Sequence, residues 1–140
     1  MKKIFVQLLM VLSILSLFGC SSSEGKLKFS EIVKDDLSKI SSRNSGSGLF
    51  YSTTNKEIIA HFVNTMSATT YSKTGPYEPV TGNSSLGLYN EENERITFIT
   101  SNGDGVFAIG DGFYKMNEDI NDELSSFYKE LYSDSNLIKE

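Results

Sequence analysis

The chain has 140 residues, with 13 basic and 18 acidic side chains, one His, one Cys, no Trp and two Pro. That length suits one ordinary domain. A single Cys excludes an intramolecular disulfide framework, and with one His it excludes zinc sites built from several Cys and His ligands. A formal charge of −5 argues against a nucleic-acid partner, which demands a basic stripe to displace counterions from phosphate.

Met1-Lys2-Lys3 makes a positive start, and Ile4 to Phe18 is a 15-residue, mostly apolar run broken by Gln7, Ser13 and Ser16. The run is short for a membrane span, which needs about 20 residues, and it has the layout of a secretory signal peptide. It closes on Leu17-Phe18-Gly19-Cys20, followed by Ser21-Ser22-Ser23. This resembles the lipobox of bacterial lipoproteins: an aliphatic residue, a tolerant position, a small residue, then Cys. Phe18 is bulkier than the residues usual at its position. The resemblance implies that residues 1–19 are a signal peptide cut between Gly19 and Cys20. Cys20 would carry a diacylglyceryl group, and the mature chain would sit on the extracytoplasmic face of the cell membrane. The alternative is a secreted chain whose cleavage site happens to hold a Cys. Two acyl chains anchor stably where one does not. Losing residues 1–19 removes Lys2 and Lys3 and no acid, so the mature charge is −7. Such a body is repelled by an anionic bilayer, and the attachment would have to be lipid.

Residues 20–26 are Ser- and Gly-rich and read as a flexible tether, leaving 27–140 as a single domain. Phe29, Ile32, Val33, Leu37 and Ile40 allow a short helix or turn. Alternatively, a strand from about Leu37 to Arg43 pairs with Leu49 to Thr53 across Asn44-Ser45-Gly46-Ser47. Thr54-Asn55-Lys56-Glu57 has the form of a capping box. The helix it opens places Ile58, Ile59, Phe62, Val63 and Met66 on one face. Thr70 to Pro79 reads as a loop. Leu86 to Asn90, Arg95 to Thr100, Val106 to Ile109 and Phe113 to Met116 read as strands. Asn102-Gly103-Asp104-Gly105 and Asp111-Gly112 tolerate the positive φ of tight hairpins, so neighbouring strands are expected to be antiparallel. A last helix starts near Asn117 or Asp119 with acids at its positive end, and its stripe is Ile120, Leu124, Phe127 and Leu131.

The expected fold is therefore α+β: a single antiparallel sheet of about five to six strands with two main helices packed on one face. Alternation assigns Ile96, Phe98, Phe107, Ile109, Tyr114 and Met116 to the helix side. The order resembles TATA-binding-protein-like domains. With the lipobox, the helix start after Phe50-Tyr51, the Gly82 to Tyr89 strand and the Ile109-Gly110-Asp111-Gly112-Phe113-Tyr114 hairpin, it also resembles small lipoproteins of low-GC Gram-positive bacteria. Those carry domains without an established activity. The fold resemblance does not bring DNA binding with it, because a charge of −7 is expected to leave no basic concave face.

No catalytic constellation emerges. His61 is the only imidazole and points away from the apolar stripe of its helix, as a surface residue would. A lipidated Cys20 has no thiolate. Glu91, Glu92 and Glu94 sit on a solvated turn, whereas general acid–base work needs converging, desolvated carboxylates. Asn102-Gly103-Asp104-Gly105 lacks the further ligands of a calcium loop, and Gly110-Asp111-Gly112 leads into a strand rather than the helix N-terminus a phosphate needs. No metal and no cofactor are expected. One feature is suggestive: the other sheet face, with Tyr89, Thr97, Ile99, Val106, Ala108 and Phe113, is unusually apolar for a solvated surface. Either it recognises a ligand, or the tether, residues 28–45 or the segment from Tyr71 to Val80 covers it. Tyr71 and Tyr77 add aromatic groups on that segment. The candidate recognition surface is thus Tyr71, Tyr77, Tyr89, Ile99 and Phe113. The sequence points to a lipid-anchored, non-enzymatic binding or accessory domain, its partner an envelope protein, a peptide or a cell-wall ligand. A small envelope hydrolase using carboxylates and an inhibitor or immunity lipoprotein are the alternatives.

Overall fold

The computed structural model describes residues 25–78 and 83–138. The lipobox, Cys20 and Val80 lie outside the described residues. In chain order the elements are α1 (Phe29–Ile32), β1 (Lys39–Arg43), β2 (Phe50–Thr53), α2 (Lys56–Ser67), β3 (Tyr71–Thr74), β4 (Ser85–Tyr89), β5 (Arg95–Ser101), β6 (Val106–Ile109), β7 (Gly112–Met116) and α3 (Asn121–Leu131). A 3-10 turn follows at Asp134–Asn136. Among the described residues the strands form one seven-stranded sheet in the order β2-β1-β4-β5-β6-β7-β3, every neighbouring pair antiparallel.

Both alternatives for the first quarter are realised in succession. Phe29–Ile32 is a short helix whose start is tied by the Lys28 N–H donating to Glu31 Oε2 at 2.7 Å. β1 then pairs with β2 across a turn in which Asn44 Oδ1 accepts from the Gly46 and Ser47 N–H groups. Gly48 closes that turn at φ +74°, a conformation glycine adopts without the steric cost a Cβ brings. α2 is capped one residue later than its sequence suggests. The Asn55 side chain accepts from Glu57 N at 2.8 Å, while Thr53 Oγ1 accepts from Asn55 N. α3 begins at Asn121, with Asp122 and Glu123 in its first turn, where the helix dipole favours them.

One face of the sheet makes the core. Ile40, Tyr71, Leu86, Leu88, Ile99, Phe107 and Ile109 pack against Ile59, Phe62 and Met66 of α2, Leu124, Phe127 and Leu131 of α3, and Phe29. Phe62 and Phe127 join the two helices with ring centroids 5.0 Å apart, and Phe29 meets Phe62 edge-on. Tyr71 is fully buried, its hydroxyl donating to the Met66 carbonyl at 2.7 Å, and burial pushes that hydroxyl's pKa up.

Three expectations are corrected. The strand count rises to seven because Tyr71–Thr74, expected as loop, is an edge strand paired with β7. Its four residues hold only one buried apolar side chain, so alternation alone does not reveal it. In β5 the faces are exchanged: Ile99 lies opposite Leu86 and Ile109 and is 2% exposed, whereas Phe98 faces away from the helices and is 42% exposed. A one-residue slip of register swaps every side chain between faces. Ile96-Thr97-Phe98-Ile99 offers apolar groups to either side, and the partners Leu86 and Ile109 decide. An irregularity opposite Leu88 and Tyr89 absorbs one extra residue at the start of β5. Finally, His61 does not point away from the packing but lies against α3.

Short segments before α1 and after the 3-10 turn guard both sheet edges. Leu27 exchanges two backbone hydrogen bonds with Tyr71 on β3, each 2.8 Å. Leu137 bridges Tyr51 on β2, and the Ile138 N–H donates to the Phe50 carbonyl.

Candidate functional site

The sheet face turned away from the helices has an unusual charge pattern. Among the described residues no strand contains Asp or Glu, yet the strands hold Lys39, Arg43, Lys73, Arg95 and Lys115. The register places four of these on the outer face. Lys39, Tyr89 and Arg95 share one row across β1, β4 and β5, Arg43 lies opposite Phe50, and Lys115 lies opposite Val106. The ion pair found among the described residues joins His61 and Glu130, so none of these four cations is matched by a carboxylate there. A chain with a net charge of −5 thus presents a cationic sheet face. Its acids sit in turns, loops and helices.

Aromatic groups are interleaved with these cations. Lys39 Nζ stands 4.4 Å from the Tyr89 ring centroid and also donates to Asn93 Oδ1. The Arg43 guanidinium stands 5.5 Å from the Phe50 ring, and its Nε donates to the Gly48 carbonyl. Phe50 is 50% exposed and Phe98 42%, both large apolar groups left in water. Between them runs a lane of small polar side chains. Ser52, Ser41, Gly87 and Phe98 form one row. Ser85 and Thr100 pair through their hydroxyls at 2.7 Å in the neighbouring one. The Tyr89 ring lies over Gly87, and a Cβ added there would come within 3.0 Å of it. The glycine lets the ring lie flat on the sheet instead of standing off it.

The openness of this face is uneven. Val106 on the outer face is fully buried, and Ala108 and Phe113 are half-buried. The exposed part is the half built on β2, β1, β4 and the Phe98 end of β5.

The residues proposed from sequence fall on both sides of this division. Tyr71 and Ile99 belong to the core and are unavailable to a ligand, which corrects that expectation. Tyr89 and Phe113 are on the outer face, half-buried, and Tyr77 is exposed. Cys20 and Gly19 lie outside the described residues. Phe50, Phe98, Lys39, Arg43 and Arg95 were missed. The absence of acids from every strand was a readable signal, but which face the cations share follows only from pairing.

Elsewhere, His61 Nδ1 is 3.0 Å from Glu130 Oε2, with the His ring edge-on to Phe127, so the imidazole links α2 to α3. Glu91, Glu92 and Glu94 are exposed on the β4–β5 turn, where Asn93 takes φ +61°. Glu118 accepts from the Thr69 hydroxyl at 2.6 Å and the Thr70 N–H at 3.0 Å, which hold its carboxyl below the usual range, with Lys26 adding to the effect. It lines an open depression of about 590 Å³ with Asp104, Asn117 and Asp119. A second depression, about 290 Å³, lies between Ser45, Ser84, Ser101 and the stacked rings of Tyr128 and Tyr132. Burial and the neighbouring Tyr132 push the Tyr128 hydroxyl's pKa up.

No protein-family model, no curated protein and no solved structure matches the chain.

Proposed function

We propose that the chain is a non-enzymatic binding domain tethered by lipid at Cys20 to the extracytoplasmic face of the membrane, with the open half of the outer sheet face as its binding surface. We also read the single sheet with both long helices on one side as a TATA-binding-protein-like arrangement, whose free side is that surface. The observation that carries the proposal is the exposure of Phe50 and Phe98 beside Lys39, Arg43 and Arg95, none of which meets a carboxylate among the described residues. Large apolar groups left in water beside a polar rim mark recognition sites more often than bare surface. Strands also hold such groups in place at little further entropic cost on binding.

The tether reading rests on Leu17-Phe18-Gly19-Cys20. It is tested by Cys20→Ala, which should abolish acyl labelling and leave a precursor or a released protein. Normal labelling and unchanged detergent partitioning in that variant would defeat it. The binding surface is tested by crosslinking in intact cells. Phe98→Ala combined with Phe50→Ala should remove the crosslinked species, while Tyr77→Ala should leave them. An unchanged crosslink pattern in the double variant would show that the face is not used.

A further inference from the structure

Resting on that reading, we infer that the ligand of the open half-face is a linear acidic glycan, a sugar chain carrying repeated carboxylate, sulfate or phosphate groups. The juxtaposition that argues for it is of three kinds of group on one flat surface. Lys39 and Arg95 share a row two strands apart, about 10 Å, and Lys39 and Arg43 lie four residues apart on β1, about 13 Å. These intervals suit anions recurring along a polymer better than one small anion, which would need its donors converging on a point. Phe50, Tyr89 and Phe98 offer flat apolar rings to the CH faces of sugar rings. Ser41, Ser52, Ser85 and Thr100 line the lane between them with hydroxyls that can donate to or accept from sugar oxygens. Among the described residues no strand carries an acid. The nearest carboxylates in sequence, Glu91, Glu92 and Glu94, lie on the β4–β5 turn at the end of the Lys39–Arg95 row, so the anionic groups are expected to seat toward Arg43 and the Ser lane.

Position argues against the bilayer itself as the anion. The chain enters the domain at Leu27, bonded to the free edge of β3, and β1 lies five strand spacings away, about 24 Å. A chain tethered at the β3 edge carries Lys39 and Arg43 on its distal half, facing the surroundings of the membrane.

The test uses the chain from Ser21 onward, which keeps every described element. Its binding is measured by calorimetry and by fluorescence anisotropy against polygalacturonate, dextran sulfate, neutral dextran of matched length, single-stranded oligothymidine, and vesicles containing phosphatidylglycerol. Binding to the acidic glycans but not to dextran is expected, with affinity falling as salt rises from 50 to 200 mM. Lys39→Gln, Arg43→Gln and Arg95→Gln together should weaken it at least tenfold and flatten the salt slope by about one per cation removed, as for any released counterion. Phe98→Ala should weaken it severalfold without changing the slope, and Lys56→Gln, off the face on α2, should leave it within twofold. The inference is overturned if the triple variant binds like the parent or Lys56→Gln weakens binding equally. It is also overturned if oligothymidine or the vesicles bind as tightly as the glycans, or if no acidic glycan binds. In that last case the cellular crosslinks separate the two failures. Crosslinks still lost with Phe98→Ala and Phe50→Ala would mean the right face with the wrong ligand, and crosslinks kept would mean the wrong face.

Discussion

Exchanging one residue of register in β5 would turn Phe98 into core and Ile99 into surface, so a pair of alanine substitutions measures the strand's orientation directly. Ile99 is 2% exposed and packs against Leu86 and Ile109. Ile99→Ala removes three buried carbons, about 2.4 kcal/mol at ~0.8 kcal/mol per methylene. The cavity left in a packed sheet–helix interface adds to this, bringing the loss to about 3 kcal/mol within the usual 2–5. Phe98 is 42% exposed, so Phe98→Ala gives up mainly strand preference and partial contact, about 1 kcal/mol or less. Urea unfolding followed by circular dichroism suits a domain of this size, for which the slope is roughly 1–1.5 kcal/mol per M. The midpoint should fall by about 2 M for Ile99→Ala and by less than about 1 M for Phe98→Ala, with unchanged slopes. If Phe98→Ala proved the more damaging of the two, the β5 register would be wrong and the outer face would lose its central aromatic group.

Further outcomes follow from single contacts. Asn55→Ala should cost about 1 kcal/mol through the lost N-cap, and Thr54→Ala clearly less, as thermal melts would show. Tyr71→Phe leaves the Met66 carbonyl without its hydroxyl donor inside the core, an expected loss of about 1–3 kcal/mol in the same urea assay. His61→Ala removes a part-exposed contact with Glu130 and should cost under about 1 kcal/mol. Glu118 has its folded pKa depressed, first by the Thr69 hydroxyl and then by the Thr70 N–H, so its stabilising contribution is present above the ordinary carboxylate range and is lost as pH falls through the folded value. Melts of Glu118→Gln and the parent should therefore differ at pH 7 and converge at the acid end. A difference unchanged with pH would exclude that linkage.

Much of the helical layer was legible because each stripe has one period and one side. Ile120, Leu124, Phe127 and Leu131 are all buried as spaced, and so are Ile59, Phe62 and Met66. The first hairpin turn was equally plain, since Gly103, Asp104 and Gly105 all take positive φ. The second sits one residue earlier than expected: Gly110-Asp111 makes the turn, Gly110 takes the positive φ, and Gly112 already pairs with Ile109 in β7. Strand faces were harder. β6 has a helix side that follows from alternation, with Phe107 and Ile109 packed inward. β5 does not, because its apolar residues occupy both parities and only the neighbouring strands choose between them. β3 escaped for a related reason. Tyr71-Ser72-Lys73-Thr74 followed by Gly75-Pro76 has the composition of a loop and becomes a strand through β7 on one side and Leu27 on the other. His61 lies one residue before Phe62 on α2, and whether that flank is solvent or interface depends on where α3 docks, a tertiary fact. Net charge misled most. A net negative charge predicts no basic face, yet carboxylates concentrated in turns and helices leave the sheet free to be cationic.

That segregation sets the range over which the face can act. The helices pack on the opposite side of the sheet, on the order of 10 Å behind it, as stacked layers do. At physiological ionic strength the screening length is about 8 Å, so the acids of α2 and α3 are largely hidden from an anion lying on the outer face, while Lys39, Arg43 and Arg95 meet it directly. Seen from several screening lengths away, the same molecule is a body of net negative charge, −5 over the full chain, that repels polyanions and anionic bilayers alike. Long-range steering therefore works against the proposed encounter, and the attraction belongs to contact distance, where Phe50, Tyr89 and Phe98 add their apolar surface. The proposed lipid tether at Cys20 would answer this difficulty by holding the domain at a fixed place. A tether raises the local concentration of the face around whatever polymer surrounds the membrane and makes fast capture from solution unnecessary.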